Sequence, residues 1–146
     1  FVCTGNICRS PMAEAIFAEQ VRAAGLQDQF EISSAGLASY HIGERPHRGT
    51  IKVLARHQIP LDPQKTAQQV IPRSVAAYDY VIAMDSGHYK VLQGTGNVHL
   101  MLDYTTKAAD QDVPDPYYTL DFDEVYDLLE DACRGLLAVI RKEHQI

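Results

Sequence analysis

The amino-acid sequence predicts an α/β fold, a three-layer sandwich in which helices cover both faces of a four-stranded parallel sheet. Short apolar segments alternate along the chain with longer segments whose apolar residues recur at helical spacing. Residues 80–84 (YVIAM) form a continuous apolar run, which is typical of a strand buried on both faces. With 146 residues, the chain is expected to form one domain spanning 1–146.

Four strands are expected. Only Phe1 and Val2 precede the first loop, whereas a strand normally has about 5–6 residues, so we expect the first few residues of this strand to be missing. Residues 30–35 alternate apolar and polar side chains before Gly36 and predict a second strand. The third strand is 80–84 and the fourth is 98–102.

Helical spacing predicts helices over 11–24, 47–57, 73–77 and 86–92, with Gly25 as a natural end for the first. The last helix is the clearest, because Asp121 and Glu124 resemble a capping box at its start. Its apolar stripe contains Val125, Leu128, Leu129, Ala132, Leu136, Leu137 and Ile140. Residues 37–46, 61–72 and 103–118 are expected to be loops, the last of them long and irregular.

Loops that follow the strands of a parallel sheet gather at its carboxyl edge. The loop of residues 3–10, hereafter the Cys3 loop, follows the first strand, and two further loops follow Ala35 and Leu102. We therefore expect these three loops to converge on one crevice.

The Cys3 loop (CTGNICRS) is expected to bind a phosphate group. Gly5 and Asn6 tolerate a positive φ, so the backbone can curl and direct several N–H groups at one point. The following helix adds its positive dipole end, with Pro11 expected at its first or second position. Arg9 supplies a planar group that can bind two phosphate oxygens.

The same loop favours a reactive cysteine. A helix N-terminus and a nearby cation both stabilise a thiolate, so Cys3 is predicted to be a nucleophile and Ser10 to donate a hydrogen bond to it. A single cysteine beside a helix start is more often a small buried side chain. The combination of C-x5-R-S with a Gly-Asn turn favours the reactive alternative.

Phosphoryl transfer to a thiolate needs a proton donor for the leaving group. Asp115 lies between Pro114 and Pro116, which hold it in an extended segment, and we expect it to be this acid. Tyr117 and Tyr118 either form a wall of an aromatic slot or are simply exposed; the slot is favoured for Tyr117. Tyr40 is an equally balanced candidate for the opposite wall.

The remaining cysteines have different expected roles. Cys8 is either a packed small side chain or a resolving thiol that protects oxidised Cys3 as a disulfide, and the sequence leaves both open. Cys133 lies beside the apolar stripe of the last helix and is expected to be structural. Three cysteines, an odd number, suit reduced thiols in the cytoplasm better than a disulfide framework.

Several function classes are disfavoured. A net charge of −6, with the acids concentrated in the last third, argues against nucleic-acid binding. No apolar run approaches the roughly 20 residues of a membrane span, and no signal peptide is visible. A zinc site from Cys3, Cys8 and a histidine matches no common ligand spacing, and Arg9 would repel the ion. The nucleotide-binding pattern G-x4-G-K-[ST] is absent.

Four segments, CTGNICRSPMAEAIF, SSAG, YVIAMD and DPYY, together resemble the low-molecular-weight protein tyrosine phosphatases over essentially the whole chain. C-x5-R alone is shared by several phosphatase folds, whereas the longer loop pattern with a late DPYY is much more specific. The resemblance implies a phosphotyrosine phosphatase I-like fold and hydrolysis of phosphotyrosine through a cysteinyl phosphate, without metal or cofactor. It also implies a phosphotyrosine protein or a small aryl phosphate as substrate, and a monomer or weak self-association.

The resemblance also implies roles for individual residues. Cys3 is the nucleophile, Asp115 is the general acid and later the base, and Arg9 binds phosphate. Backbone amides of the Cys3 loop, which includes Thr4, Gly5 and Cys8, bind phosphate as well. Ser10 stabilises the thiolate, and Asn6, with Ser34 in its hydrogen-bond network, holds the loop in its curl. Ile7, Tyr40 and Tyr117 line the slot for the aromatic ring of the substrate, and Tyr118 lies beside them.

One segment departs from the family pattern. Many relatives carry His-x-Ala-Arg-Gln where this chain has Lys65-Thr66-Ala67-Gln68-Gln69, which puts the network supporting the loop in doubt. Arsenate reductases share the fold but need further redox cysteines, and residues 79–110 contain none. Arginine phosphatases carry Thr in place of Ile7 and lack the paired tyrosines. A loop that only binds phosphate conflicts with the presence of Cys3, Arg9 and Asp115 together.

Overall fold

The computed structural model describes residues 1–107 and 112–146. Within them, four parallel strands form one sheet in the order β2-β1-β3-β4. The strands are β1 (Val2–Cys3), β2 (Ala35–Gly36), β3 (Val81–Ala83) and β4 (Val98–Leu100). The helices are α1 (Arg9–Ala23), α2 (Arg48–Arg56), α3 (Pro72–Ala77), α4 (Ser86–Leu92), α5 (Pro116–Thr119) and α6 (Phe122–His144), with short 3₁₀ helices at Gln27–Gln29 and Met101–Tyr104.

The two faces of the sheet pack against different helices. Val81 and Ala83 of β3 belong to a small core with Val75 of α3 and Leu92 of α4. Ile82, between them in sequence, belongs to the larger core that α1, α2 and α6 form on the other face. This alternation follows from the two-residue period of a strand, and it confirms the predicted three-layer α/β fold.

Three strands are shorter than predicted. The third runs over Val81–Ala83 instead of 80–84. The second strand is Ala35–Gly36, paired with Val2 and Cys3, and not the whole of 30–35. Ahead of it, the Phe1 N-terminus donates to the Ser33 carbonyl at 3.0 Å. The fourth strand ends at Leu100, whose partner Ala83 is the last residue of β3. The chain beyond Leu100 turns into the 3₁₀ helix Met101–Tyr104 instead of extending the strand to 102.

The helices agree more closely with the predictions. α1 begins at Arg9, two residues early, so Pro11 is its third residue and not its first or second; Gly25, with φ +72°, follows its end as predicted. Only half of the capping box at α6 forms. The Asp121 carboxylate accepts from the Glu124 N–H, while the Asp121 N–H donates to Thr119.

The loop predicted over 103–118 is more ordered than expected. It contains the end of the 3₁₀ helix Met101–Tyr104 and the short helix α5, and residues 108–111 lie outside the described residues. In the part of the chain that is described, no helix is both long and apolar enough to cross a membrane.

Candidate active site

The three predicted loops meet at the carboxyl edge of the sheet, around a cavity of about 320 Å³. The Cys3 loop supplies its floor, and the loop after β2 and the segment before α5 supply its sides. The lining residues are Cys3, Thr4, Gly5, Ile7, Cys8, Arg9, Tyr40, His41, Asp115, Tyr117 and Tyr118. The expected convergence is therefore confirmed, since the parallel strands bring all three loops to one edge.

The Cys3 sulfur lies among hydrogen-bond donors. Its Sγ is 2.9 Å from the Ser10 hydroxyl and 3.3 Å from the backbone nitrogen of Asn6, which donates to it. The Asn6 amide nitrogen donates to Ser10 Oγ at 2.8 Å. Because Ser10 Oγ accepts this bond, its own proton is free to point at the sulfur. The arrangement suits a negatively charged sulfur.

Asn6 holds the curl of the loop. Its φ of 57° lies in the left-handed region, which asparagine tolerates better than most residues. The Asn6 Oδ1 atom accepts from the Gln68 N–H at 3.0 Å, and this backbone donor fixes which end of the amide is oxygen. Nδ2 also donates to Ser34 Oγ at 2.9 Å. Both ends of the buried amide therefore hold the loop in place.

Gly5 is needed for space and not for a positive φ, so that part of the prediction was wrong. A Cβ atom on Gly5 would lie 2.7 Å from Cδ2 of His41. His41 therefore packs directly on the Cys3 loop. His41 is a residue of the site that was not predicted from the sequence.

The network that supports the loop uses residues other than those of the family pattern. Gln68 contributes its backbone N–H to Asn6 and its side-chain Nε2 to the Ser34 carbonyl, at 2.9 Å. Lys65 lies 3.4 Å from the same carbonyl and 3.1 Å from Glu14. The absence of the pattern's His and Arg therefore does not leave the Cys3 loop unsupported.

Arg9 is 3% exposed and is held on several sides. Nη1 donates to Asp85 Oδ2 at 2.9 Å and to the Val113 carbonyl at 3.0 Å, while Nη2 lies 3.4 Å from Asp115 Oδ2. Burial alone would raise the pKa of Asp85. The His88 N–H and the Arg9 guanidinium outweigh burial and keep the pKa of Asp85 below its ordinary value. Asp85 thus supplies a fixed negative charge that orients Arg9.

Asp85 was missed by the sequence analysis, although a signal was available. It is the second residue after β3, at the carboxyl edge where the site lies. It also caps α4, because its Oδ1 accepts from the backbone N–H of His88 at 2.9 Å. One carboxylate therefore joins the start of α4 to the guanidinium of Arg9.

Asp115 lies on a docked, extended segment, as predicted from its flanking prolines. Its φ and ψ are −87° and 105°, and its Oδ1 accepts from the Tyr117 N–H at 3.2 Å. The segment is attached to β3 by the Val113 N–H, which donates to Met84 at 2.9 Å. The Asp112 carboxylate accepts from the Ser86 N–H at 2.7 Å. These contacts place Asp115 facing Arg9.

Aromatic side chains surround the mouth of the cavity. Tyr40, Tyr117 and Tyr118 are 79%, 48% and 79% exposed, and all three line the cavity. The His41 ring lies between two of them, 6.4 Å from the ring of Tyr40 and 6.1 Å from that of Tyr117. Buried Ile7 lines the same cavity, so the structure brings the predicted slot residues together above the Cys3 loop.

The other two cysteines are buried and unlike Cys3 in their surroundings. Burial raises the pKa of Cys8 to about 12, so it is a neutral thiol at ordinary pH. Burial also raises the pKa of Cys133, whose Sγ contacts the Ala13 carbonyl within the main core. Cys133 is therefore structural, as predicted. Across residues 1–107 and 112–146, no group of three or more His, Cys, Asp or Glu side chains is arranged to hold a metal ion.

Comparison with known proteins gives consistent matches. The low molecular weight phosphotyrosine protein phosphatase family matches residues 1–146. The low molecular weight protein-tyrosine-phosphatase YfkJ of Bacillus subtilis is 44% identical over 152 residues, covering 100% of this chain and 97% of YfkJ. The crystal structure of YfkJ superposes with a TM-score of 0.92, covering 98% of this chain and 93% of that one.

Two further solved structures are similar. The protein tyrosine phosphatase of Entamoeba histolytica is 34% identical, with a TM-score of 0.89, and covers 99% of this chain and 96% of its own. DARP, a Drosophila arginine phosphatase, is 28% identical, with a TM-score of 0.88 and coverages of 97% and 96%. The family match over the full length and the identity to YfkJ agree with the geometry of the site. The chain belongs to the low molecular weight phosphotyrosine protein phosphatase family.

Proposed function

We propose that this protein hydrolyses phosphotyrosine monoesters through a cysteinyl-phosphate intermediate, with Cys3, Arg9 and Asp115 as its catalytic residues. The observation that carries the proposal is the cavity at the carboxyl edge of the sheet. Cys3, Arg9 and Asp115 all line this cavity, beneath a slot bounded by Tyr40 and Tyr117.

In the first step, the Cys3 thiolate attacks phosphorus and the bond between phosphorus and the phenolic oxygen breaks. The Asp115 carboxyl gives its proton to the departing oxygen, so tyrosine leaves as a neutral phenol. Arg9 and the N–H groups of the Cys3 loop, including those of Thr4, Gly5 and Cys8, stabilise the charge on the transferring phosphoryl group. Ser10 and the Asn6 N–H stabilise the sulfur anion.

In the second step, water attacks the phosphorus of the cysteinyl phosphate. Asp115, now a carboxylate, takes a proton from this water, and the P–S bond breaks with its electron pair returning to Cys3. Inorganic phosphate then leaves. Every group that the two steps require is a side chain, a backbone amide or water, so we expect turnover without a metal ion.

The slot suits a flat aromatic ring, which favours a phosphotyrosine protein or a small aryl phosphate as substrate. Ile7 lies at the floor of the site, where an aliphatic side chain favours an aromatic ring over a guanidinium group. We therefore favour phosphotyrosine over phosphoarginine. We further propose that the protein acts in the cytoplasm, which its three free cysteines support. We also propose that it is a monomer or self-associates weakly, as its resemblance to the family implies.

Hydrolysis of p-nitrophenyl phosphate and phosphotyrosine in the presence of a chelator tests the proposal. We expect the wild type to turn over both, and Cys3→Ala to lose turnover while keeping its thermal unfolding midpoint. Cys133→Ala is the matched control, a cysteine outside the site that should keep turnover. Chelator-sensitive activity, or a Cys3→Ala variant with full turnover, would contradict the mechanism. Faster hydrolysis of phosphoarginine than of phosphotyrosine would overturn the substrate assignment.

A further inference from the structure

His88 is a buried imidazole that contacts the Cys3 loop at Thr4. It lies on α4 and is 5% exposed. Its Nε2 atom is 2.8 Å from the hydroxyl of Thr4, the residue that follows Cys3. Its Nδ1 atom is 3.2 Å from Asp85 Oδ1, the carboxylate that also binds Arg9. The imidazole therefore lies between the start of the loop and the residue that orients the guanidinium.

Of the two ring nitrogens of His88, only Nε2 makes a hydrogen bond of good geometry with a residue that the structure describes. His88 Nδ1 is buried and, among the described residues, makes no hydrogen bond of good geometry. A buried polar atom without a partner costs free energy that an apolar side chain of similar size would avoid. An apolar side chain would lose the 2.8 Å hydrogen bond with Thr4 and the longer, 3.2 Å approach of Nδ1 to Asp85 Oδ1.

The direction of this hydrogen bond follows from the surroundings. Burial lowers the pKa of His88 below its ordinary value, against the opposing effect of the Asp85 carboxylate, so the ring is neutral near pH 7. The Asp85 carboxylate can only accept, which favours the ring proton on Nδ1. Nε2 is then an acceptor, and the Thr4 hydroxyl donates its proton to it.

We propose that His88 is a positioning residue for the Cys3 loop. By accepting from Thr4, it fixes the side chain of the first residue after the nucleophile. The Thr4 carbonyl is held separately by the Ala38 N–H at 2.9 Å, so residue 4 is fixed on two sides. The backbone N–H groups at the start of the loop then keep their aim at phosphate. This inference rests on the proposed phosphatase function and concerns the same site.

Four variants test the role of His88. His88→Leu removes both ring nitrogens, and His88→Gln returns a polar group near the Nε2 position. Thr4→Val removes the hydroxyl at nearly constant shape, and the fourth variant combines His88→Leu with Thr4→Val. His99→Leu is the matched control, a histidine on β4 that contacts Asn97 outside the site. The measurements are kcat and KM for p-nitrophenyl phosphate, the Kd of inorganic phosphate by calorimetry, and the thermal unfolding midpoint.

We expect His88→Leu and Thr4→Val each to lower kcat/KM and weaken phosphate binding by about three- to tenfold, the range for one hydrogen bond. The double variant should match the single ones, because both remove the same contact. His88→Gln should recover most of the loss, and His99→Leu should stay within twofold. The dependence of the hydrolysis rate on the leaving group should not change in these variants, because Asp115 is still present.

Three results would overturn the inference: unchanged phosphate affinity in His88→Leu, effects that multiply in the double variant, or no recovery in His88→Gln. A lower unfolding midpoint with unchanged Kd would indicate a purely structural histidine and would also overturn it. Phosphate binding separates this test from the proposed function. Absence of turnover in the wild type would contradict the function, while a weaker phosphate Kd in His88→Leu would still support the positioning role.

Discussion

Asp115 and Arg9 form a contact that substrate binding is expected to change. The two side chains approach within 3.4 Å, between Oδ2 and Nη2, while Asp85 and the Val113 carbonyl hold Nη1. A phosphate group in the cavity would compete for Nη2 and leave the Asp115 carboxyl free for the leaving-group oxygen. Asp85, which binds the other nitrogen, keeps the guanidinium in place during this exchange.

Replacement of Asp115 by Ala should slow hydrolysis according to the leaving group. We expect a loss of about 10²–10⁴-fold for an ester whose leaving group is strongly basic, because that oxygen needs the proton. The loss should be much smaller for p-nitrophenyl phosphate. Rates for a series of substituted phenyl phosphates measure this, and equal slowing across the series would exclude Asp115 as the acid. Asp121→Ala, another capping aspartate, is the control.

Replacement of Asn6 separates its backbone role from its side-chain role. Asn6→Gly keeps the left-handed conformation but removes the bonds to Ser10, Ser34 and Gln68. Asn6→Ala loses both, and the backbone strain adds roughly 1–2 kcal/mol. We expect both variants to lose activity and Asn6→Ala to unfold at a lower urea concentration. Equal stability of the two variants would contradict a strained backbone at this residue.

Alkylation should distinguish the three cysteines. Cys8, whose pKa is raised to about 12 by burial, and Cys133, whose pKa is also raised, remain neutral thiols at pH 7 and react slowly. Iodoacetamide is therefore expected to modify Cys3 first, and inorganic phosphate should protect it. Peptide mapping by mass spectrometry identifies the site. Faster modification of Cys8 than of Cys3 would contradict this assignment of reactivity. A Cys3–Cys8 disulfide stays a separate prediction.

At the scale of elements, Asp131 ties α6 to the chain that follows the 3₁₀ helix Met101–Tyr104. It accepts from the Thr105 hydroxyl at 2.6 Å and from the Thr106 N–H at 2.7 Å. The Thr105 hydroxyl, followed by the Thr106 N–H, holds the pKa of Asp131 below its ordinary value of 3.8. Because the folded-state pKa is the lower one, ionised Asp131 stabilises the fold above pH 3.8, and this contribution is lost as the pH falls through the folded-state pKa.

Asp131→Asn should therefore be less stable than the wild type at pH 7, by about 1–3 kcal/mol. The difference in free energy of unfolding should shrink as the pH falls from about 3.8, where the carboxyl of the unfolded chain takes up its proton, through the lower folded-state pKa. Urea denaturation at a series of pH values measures it. Asp127→Asn, an exposed acid on the same helix, is the control. A difference that does not depend on pH would contradict the role of the ionised carboxylate.

At the scale of the whole molecule, α6 closes one face of the fold by packing against α1 and the 3₁₀ helix Met101–Tyr104. Gly135 allows this approach, because a Cβ atom there would lie 2.0 Å from the Tyr104 carbonyl oxygen. In an isolated helix, Ala is favoured over Gly by about 1 kcal/mol. Within the fold, Gly135→Ala should instead destabilise by about 1–3 kcal/mol, because the backbone must shift.

Thermal and urea unfolding of Gly135→Ala test this contact, and a more stable variant would contradict it. Ala138→Gly is the matched control at an exposed position of the same helix. There the larger residue is the better one, so the variant should lose about 1 kcal/mol. Opposite preferences at positions 135 and 138 would show that tertiary packing, and not helix propensity, decides the residue at 135.

Predictions from the sequence succeeded where the pattern involves residues close together along the chain. The apolar stripe of α6 follows from the helical spacing of its residues. The end of α1 follows from Gly25, whose backbone adopts a positive φ. Strand lengths were harder to predict, because a strand extends only as far as its neighbour offers backbone partners. The strand predicted over 98–102 ends at Leu100, because its partner Ala83 is the last residue of β3.

The sequence by itself determined the reactive loop, because Cys3, Arg9 and Ser10 lie on one turn and need no other element to bring them together. The prolines around Asp115 likewise determined its extended backbone. Only the tertiary structure decided which distant residues complete the site: Asp85 for Arg9, His88 for Thr4 and Gln68 for Asn6. Asp85 and His88 reach the Cys3 loop because β3 lies beside β1, and Gln68 reaches it because its segment pairs with Gly36 of β2. The spacing of residues along the chain does not indicate which strands or segments lie side by side in the sheet.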